Sequence, residues 1–116
     1  MSGLAAAATP DQLPDRIAEA FAGGGALAAS VPGFVPRESQ ADMAACVHRA
    51  IDNGATLVAE AGTGPGKTFA YLVPALLAGG KLLISTGTKP LQDQLFRKDL
   101  PAVLKALKLN AVTAVL

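Results

Sequence analysis

The stretch Thr56-Leu57-Val58-Ala59-Glu60-Ala61-Gly62-Thr63-Gly64-Pro65-Gly66-Lys67-Thr68-Phe69-Ala70-Tyr71-Leu72-Val73 reads as an apolar strand, a Gly-rich turn and the start of a helix. Where a strand ends in such a turn and restarts as a helix, freed backbone N–H groups and the positive end of the helix dipole converge on one point. That point suits a polyphosphate. The eight residues Ala61, Gly62, Thr63, Gly64, Pro65, Gly66, Lys67 and Thr68 therefore read as a phosphate-binding loop. In it Lys67 would reach the β- and γ-phosphates of a nucleoside triphosphate, and the Thr68 hydroxyl would ligate Mg²⁺. A plain glycine turn with a solvated lysine is the competing reading, and the flanking strand and helix patterns weigh against it.

Downstream, the helix is expected to run to Gly79-Gly80, with Phe69, Leu72, Val73, Leu76 and Leu77 over more than half its circumference. Pro74 lies inside it and is expected to kink it or end it early, because proline removes the bond to the carbonyl of Ala70. Lys81-Leu82-Leu83-Ile84-Ser85-Thr86 reads as a second buried strand. Thr88 is then a candidate N-cap with Pro90 in the first helical turn. One helix over residues 90–98 turns Leu91, Leu95 and Phe96 inward, and Pro101 restarts another through Lys108, with Val103, Leu104 and Leu107 as its apolar set. Asn110 closes it, and Ala111-Val112-Thr113-Ala114-Val115-Leu116 begins a third strand.

Upstream, Leu13, Ile17 and Phe21 recur at helical spacing, which predicts a short helix over residues 14–22. Gly23-Gly24-Gly25 would end it as a flexible joint. Val31-Pro32-Gly33-Phe34 is a turn, and a helix follows over residues 37–53 with Met43, Val47, Ala50 and Ile51 inward, Asp42, Arg49 and Asp52 outward, and Asn53-Gly54 as its stop. Strands alternating with helices make βαβ units. The expected fold is thus α/β, a P-loop NTPase with a parallel sheet flanked by helices, and incomplete, because few strands are present and the last has no sequel.

The bulk numbers permit such a domain. With 116 residues, 51% of them hydrophobic, the chain can pack a core. A formal net charge of +1 offers no global field for nucleic acid or membrane, so any DNA contact must be local. The single cysteine, Cys46, excludes an internal disulfide and any cysteine-built metal cage from this chain alone, and reads as small apolar filler. His48, the only histidine, reads as a surface or helix-end residue. No basic and apolar leader of secretory type is legible, and the uncharged run over residues 20–36 is broken by Gly and Pro, so a cytoplasmic location is expected.

Three motifs in order carry a family resemblance: Pro36-Arg37-Glu38-Ser39-Gln40, then Glu60 through Thr68, then Ile84-Ser85-Thr86-Gly87-Thr88-Lys89-Pro90-Leu91-Gln92-Asp93-Gln94-Leu95. They resemble the opening motifs of the XPD/DinG-type superfamily 2 helicases, most closely the YoaA group, over residues 31–116. The resemblance implies a RecA-like motor domain 1 and ATP-dependent 5′ to 3′ movement on single-stranded DNA with duplex unwinding in DNA repair. It implies that residues 1–30 form an Ala/Gly-rich leader with a short helix, and that residues 31–116 are the N-terminal part of the ATP-binding domain, cut before the iron–sulfur domain and the acidic box. By position, Arg37 and Gln40 resemble the adenine-recognising Q motif, for which a Gln amide can both donate to and accept from the base edge. Thr86, Gly87, Thr88 and Gln92 resemble the motif that touches the phosphate backbone of single-stranded DNA. A helix-start role for Gln40 and a capped loop without DNA contact at Thr86–Gln92 are the plainer alternatives.

ATP and Mg²⁺ are the implied cofactors, with single-stranded DNA as the implied partner. A 4Fe–4S cluster belongs to the longer family members, and its ligands are not in this chain. No counterpart of the acidic box precedes Leu116, so the chain by itself is expected to bind ATP weakly and hydrolyse little. Two other readings stand beside the helicase: a different small P-loop NTPase or kinase, which fits residues 85–95 poorly, and a nucleotide-binding fragment without turnover.

Two letters depart from the general loop. Ala61 replaces a Gly, as is common in helicases, whereas Pro65 removes an N–H and pushes Gly64 away from the helical region. A hydrogen bond to a charged group contributes roughly 1.5–3 kcal/mol. Pro65→Thr should therefore tighten ATP binding by about ten- to a hundredfold in a direct titration, and equal or weaker affinity would contradict this account of the loop.

Overall fold

In the computed structural model of the protein, residues 12–59 and 67–115 are described. Residues 61–66, which the sequence reads as part of a phosphate-binding loop, and Glu60 before them lie outside that set. The elements are six helices: α1 (Leu13–Phe21), α2 (Ala26–Ser30), α3 (Glu38–Asp52), α4 (Lys67–Ala78), α5 (Lys89–Gln94) and α6 (Leu100–Leu107), with a π-helical turn, Leu95–Asp99, joining the last two.

Local sequence explains most of these boundaries. In α1, Pro14 sits in the first turn with Asp15 beside it, and Leu13, Ile17, Ala20 and Phe21 form one buried stripe. Helix α3 stops at Asn53-Gly54: Gly54 takes φ +62°, and the N–H of Ala55 reaches back to the Ala50 carbonyl at 2.8 Å. The Thr88 hydroxyl caps α5 by accepting from the N–H of Leu91 at 3.3 Å. Helix α6 closes earlier than Asn110, at Lys108, which adopts the left-handed conformation at φ 58°.

Two prolines are accommodated within helical runs. Pro74 does not end α4, which continues four residues beyond it to Ala78. Its ring is fully buried beside Leu72 and Val73, so packing on the apolar helix offsets the missing bond to Ala70. Pro101 does not restart a helix, because residues 89–107 form one continuous helical run. The π-helical turn ahead of it carries the N–H of Leu100 to the carbonyl of Leu95, five residues back. One extra residue is thereby inserted just where the proline N–H is missing.

The expected parallel sheet is absent: among the described residues there is no strand. Residues 55–59, 81–86 and 110–115, each apolar enough for a buried strand, pair with nothing, and Val58, Leu83 and Val112 are 92%, 82% and 103% exposed. Composition supplied the strand pattern, but a strand exists only where a second chain segment accepts its backbone hydrogen bonds. Residues 81–86 and 110–115 border one cavity, yet no strand ladder forms between them. The α/β, P-loop-type class with a helix-flanked sheet is therefore overturned for this chain, which folds as a helical cluster.

The core of that cluster lies between α4 and its neighbours. Leu72, Val73 and Leu77 from α4 pack with Ile17 and Phe21 of α1, Leu27 of α2, Ala44 of α3, Leu95 of the π-helical turn, and Val103 and Leu107 of α6. The inward face of α3 is rotated from the expected one: Gln40 and Ala44 are buried, while Ile51 is 43% exposed. A small alanine at the crossing lets α3 approach α4 closely, and the larger Met43 and Val47 stay half-buried at the sides. Asp42, Arg49 and Asp52 face solvent as the periodicity predicts. Leu91, expected inward, is 55% exposed.

Gly25 is a close-approach residue rather than a free joint. A Cβ there would overlap the Glu19 carbonyl at the end of α1 and lie 3.2 Å from the Ala22 carbonyl oxygen. Nothing lies near the corresponding position of Gly24. Gly25→Ala should lower stability by about 1–3 kcal/mol in urea unfolding, the usual cost of overpacking. Gly24→Ala should stay within about 0.5 kcal/mol of the wild type.

Candidate functional site

The described part of the candidate phosphate site is the first turn of α4. Lys67 opens the helix and is exposed, Thr68 follows half-buried, and no acidic residue stands in that turn. A helix of 12 residues presents its positive end there, so cationic side chain, hydroxyl and helix dipole all favour an anion. This donor set fits a nucleotide–magnesium complex, in which one protein hydroxyl joins phosphate oxygens and water around the cation. Among the described residues no three His, Cys, Asp or Glu side chains cluster in a way that could hold a metal by themselves. Cys46, on α3, accepts from the Arg49 Nη2 at 3.2 Å. It is the only thiol of the sequence, so an iron–sulfur cluster has no ligand set here.

One helical turn beyond the lysine, Tyr71 is half-buried. Burial pushes its phenol above the ordinary value and the negative charge of Asp99 adds to the rise, while a hydrogen bond from the Thr68 side chain opposes it. Asp99 lies in the π-helical turn, and burial likewise raises its carboxyl; the Gln94 side chain and the Lys98 charge pull the other way.

Arg37 and Gln40 are brought to the same end of the molecule. They line a pocket of about 180 Å³ together with Val31, Pro32, Gly33, Phe34, Val35 and Phe69. Gln40, in the first turn of α3, is the buried polar residue of the described core at 8% exposure. The turn Val31–Phe34 sets the opposite wall: Pro32 occupies its second position, Gly33 takes φ +76°, and the N–H of Phe34 bonds the Val31 carbonyl at 3.1 Å. Phe34 then meets Phe69 edge to face, with centroids 6.3 Å apart and planes at 62°. Phe69 comes two residues after Lys67, so this pocket adjoins the start of α4. The aromatic pair escaped sequence reasoning. Phe34 had no periodic signal, and the only cue was the Pro-Gly turn before it.

Thr86, Gly87, Thr88 and Gln92 lie elsewhere. Thr86 and Gln92 line an open cavity of about 1070 Å³ with Leu76, Leu82, Leu95 and Phe96. This cavity borders the far half of α4, and Leu76 stands about 14 Å along the helix from Lys67. The two threonine hydroxyls are engaged in the loop itself: Thr86 donates to the Thr88 carbonyl at 3.2 Å, and Thr88 caps Leu91. Gly87 and Thr88 are exposed.

Against this geometry the relatives are informative. The YoaA ATP-dependent DNA helicase of Escherichia coli is 58% identical over 96 residues, 83% of this chain and 15% of its own length. The YoaA helicase of Haemophilus influenzae is 54% identical over 102 residues, 88% of this chain and 16% of its own. By sequence, the chain belongs to the XPD/DinG-type helicases and is YoaA-like. The DinG helicase of Mycobacterium tuberculosis is more distant, at 42% identity over 86 residues, 71% of this chain and 13% of its own. The chain thus spans about one sixth of the length of its YoaA-like relatives. No family model and no solved structure matches it. Among the described residues no helix is long and apolar enough to cross a membrane.

The raised Asp99 carboxyl has a consequence for stability. Its proton is held more firmly in the folded chain than in the unfolded one, so stability declines as pH rises through the carboxylate range. Asp99→Asn should raise the midpoint of thermal unfolding at pH 7 and leave it unchanged at a pH below the ordinary carboxylate range. An equal shift at both pH values would contradict the titration.

Proposed function

We infer that this chain is the ATP-binding opening segment of a YoaA-like DNA helicase. The observation that carries the reading is the convergence of Arg37, Gln40 and the Phe34–Phe69 pair on the pocket beside the first turn of α4, where Lys67 and Thr68 stand. In this proposal Lys67 neutralises the β- and γ-phosphates, and Thr68 offers its hydroxyl to Mg²⁺. Residues 61–66 wrap the phosphates with backbone N–H groups, except at Pro65, which has none. The Gln40 amide reads the adenine edge, with Arg37 beside it. Residues 31–116 carry this machinery and residues 1–30 precede it as a leader. Bound Mg²⁺ supplies charge neutralisation at the phosphates.

Single-stranded DNA would meet Thr86, Gly87, Thr88 and Gln92, through exposed N–H groups and the Gln92 amide more than through the threonine hydroxyls, which are engaged in the loop. Translocation from 5′ to 3′, duplex unwinding, a role in DNA repair and the iron–sulfur cluster belong to the proposal for the longer protein, as does a cytoplasmic site of action. A second reading, nucleotide binding without turnover, is favoured for these 116 residues alone by the lack of any sequence counterpart to the acidic box.

Lys67→Ala should weaken binding of ATP by about ten- to a hundredfold, as expected for loss of a charge-assisted contact. Hydrolysis measured with and without single-stranded DNA separates the two readings. Stimulation by DNA supports the motor, binding without turnover supports the second reading, and no nucleotide binding at all overturns both.

A further inference from the structure

Charge is unevenly divided along this chain. Residues 12–59 carry five acidic and three basic side chains, whereas residues 81–115 carry six basic ones, Lys81, Lys89, Arg97, Lys98, Lys105 and Lys108, against Asp93 and Asp99. The net charge of +1 conceals this segregation. Arg97 and Lys98 lie in the π-helical turn, Lys105 in α6 and Lys108 at its end, and all four are exposed. By helical spacing they fall, with the exposed Pro101 among them, within an arc of about 100° opposite the buried Val103 and Ala106. The resulting stripe covers about 16 Å of helix axis.

The two acids of the run stay off that arc. Asp99 is half-buried, and the exposed Asp93 stands one turn before Arg97. Among the described residues no ion pair or side-chain hydrogen bond engages Arg97, Lys105 or Lys108. Like charges one turn apart, as in Lys105 and Lys108, weaken a helix, so the stripe costs stability that an external polyanion would recover.

We propose that this stripe binds the phosphate backbone of single-stranded DNA. The inference deepens the DNA reading above and rests on it: the helical run that carries the stripe begins at the loop of Gly87 and Thr88. A narrow file of cations matches one file of phosphates, whereas a duplex presents phosphates of two strands across a groove about 12 Å wide. The exposed arc carries no aromatic ring on which a base could stack, so the contact is to the backbone and independent of sequence. Its strength should therefore depend steeply on salt.

The test measures binding of the full chain to a fluorescent oligothymidylate by anisotropy over a range of salt concentrations. For single strands the logarithm of affinity falls against the logarithm of salt with a slope of about 0.7 per neutralised phosphate. The triple variant Arg97→Gln, Lys98→Gln, Lys105→Gln should thus flatten the slope by about 2 and lower affinity about ten- to a hundredfold at about 50 mM salt. Lys108, which ends α6 in the left-handed conformation, is left in place. The charge-preserving triple variant Arg97→Lys, Lys98→Arg, Lys105→Arg should keep the wild-type slope. An unchanged slope in the Gln variant, or an equal flattening in the charge-preserving one, overturns the stripe and leaves the DNA reading of the loop intact. A wild type that binds no oligothymidylate overturns both. Equal competition by polyglutamate at matched charge assigns the stripe to an acidic protein surface, and tighter binding of a duplex through the same residues assigns it to double-stranded DNA; either overturns the proposal. Circular dichroism checks that the variants are helical, and Lys105→Gln alone, with an expected flattening of about 0.7, takes the place of the triple variant should that unfold.

Discussion

Enclosure of α4 is the constraint on which the remaining structure depends. Leu72 and Val73 are fully buried, Leu77 nearly so, and Pro74 lies among them without exposed surface. A helix apolar around so much of its circumference is stable in water only when other elements cover it. Here the cover comes from α1, α3, the π-helical turn and α6, which converge from distant parts of the sequence. The first turn of the same helix carries Lys67 and Thr68. The residues that would face phosphate are thus anchored by a helix enclosed in the core, and precise placement of a site is best supported by such rigid elements.

The site grows from that anchor in two directions. Toward α3, a small residue at the crossing lets Gln40 come down beside Phe69, and a Pro-Gly turn swings Phe34 across to complete the wall. Toward the C-terminal helical run, an extra residue ahead of Pro101 keeps residues 89–107 continuous and sets Asp99 near Tyr71. The loop that begins this run, from Thr86 to Gln92, lies by the other cavity. Nucleotide-facing and DNA-facing candidates therefore occupy different ends of one helix, joined through packed side chains and not through a shared pocket.

Much of the local structure was legible in the residues. The stripe of Leu13, Ile17 and Phe21, the Asn53-Gly54 stop and the Thr88 cap each depend on neighbours within a few positions, where sequence and geometry are tightly linked. Other features depended on distant partners and were misread. The inward face of α3 is chosen by what α4 presents to it, so Ala44 is buried and Ile51 is not. The burial of the Pro74 ring, within a helix that runs on to Ala78, depends likewise on the elements packed around α4. Gly25 looked like one of three interchangeable glycines, yet only it lies against the end of α1.

What the sequence by itself determined is the set of chemical groups and their local frames: a lysine and a threonine at a helix start, a glutamine in the first turn of another helix, and the motif order that relates the chain to YoaA and DinG. Tertiary structure decided which of these meet. It joined Gln40 to Phe34 and Phe69, and kept Thr86 and Gln92 apart in a second cavity. It also decided against the sheet, because backbone pairing between strands is non-local and no run of valines and leucines contains its own partner. Helices close their hydrogen bonds within a single segment, which is why helices were readable here and strands were not.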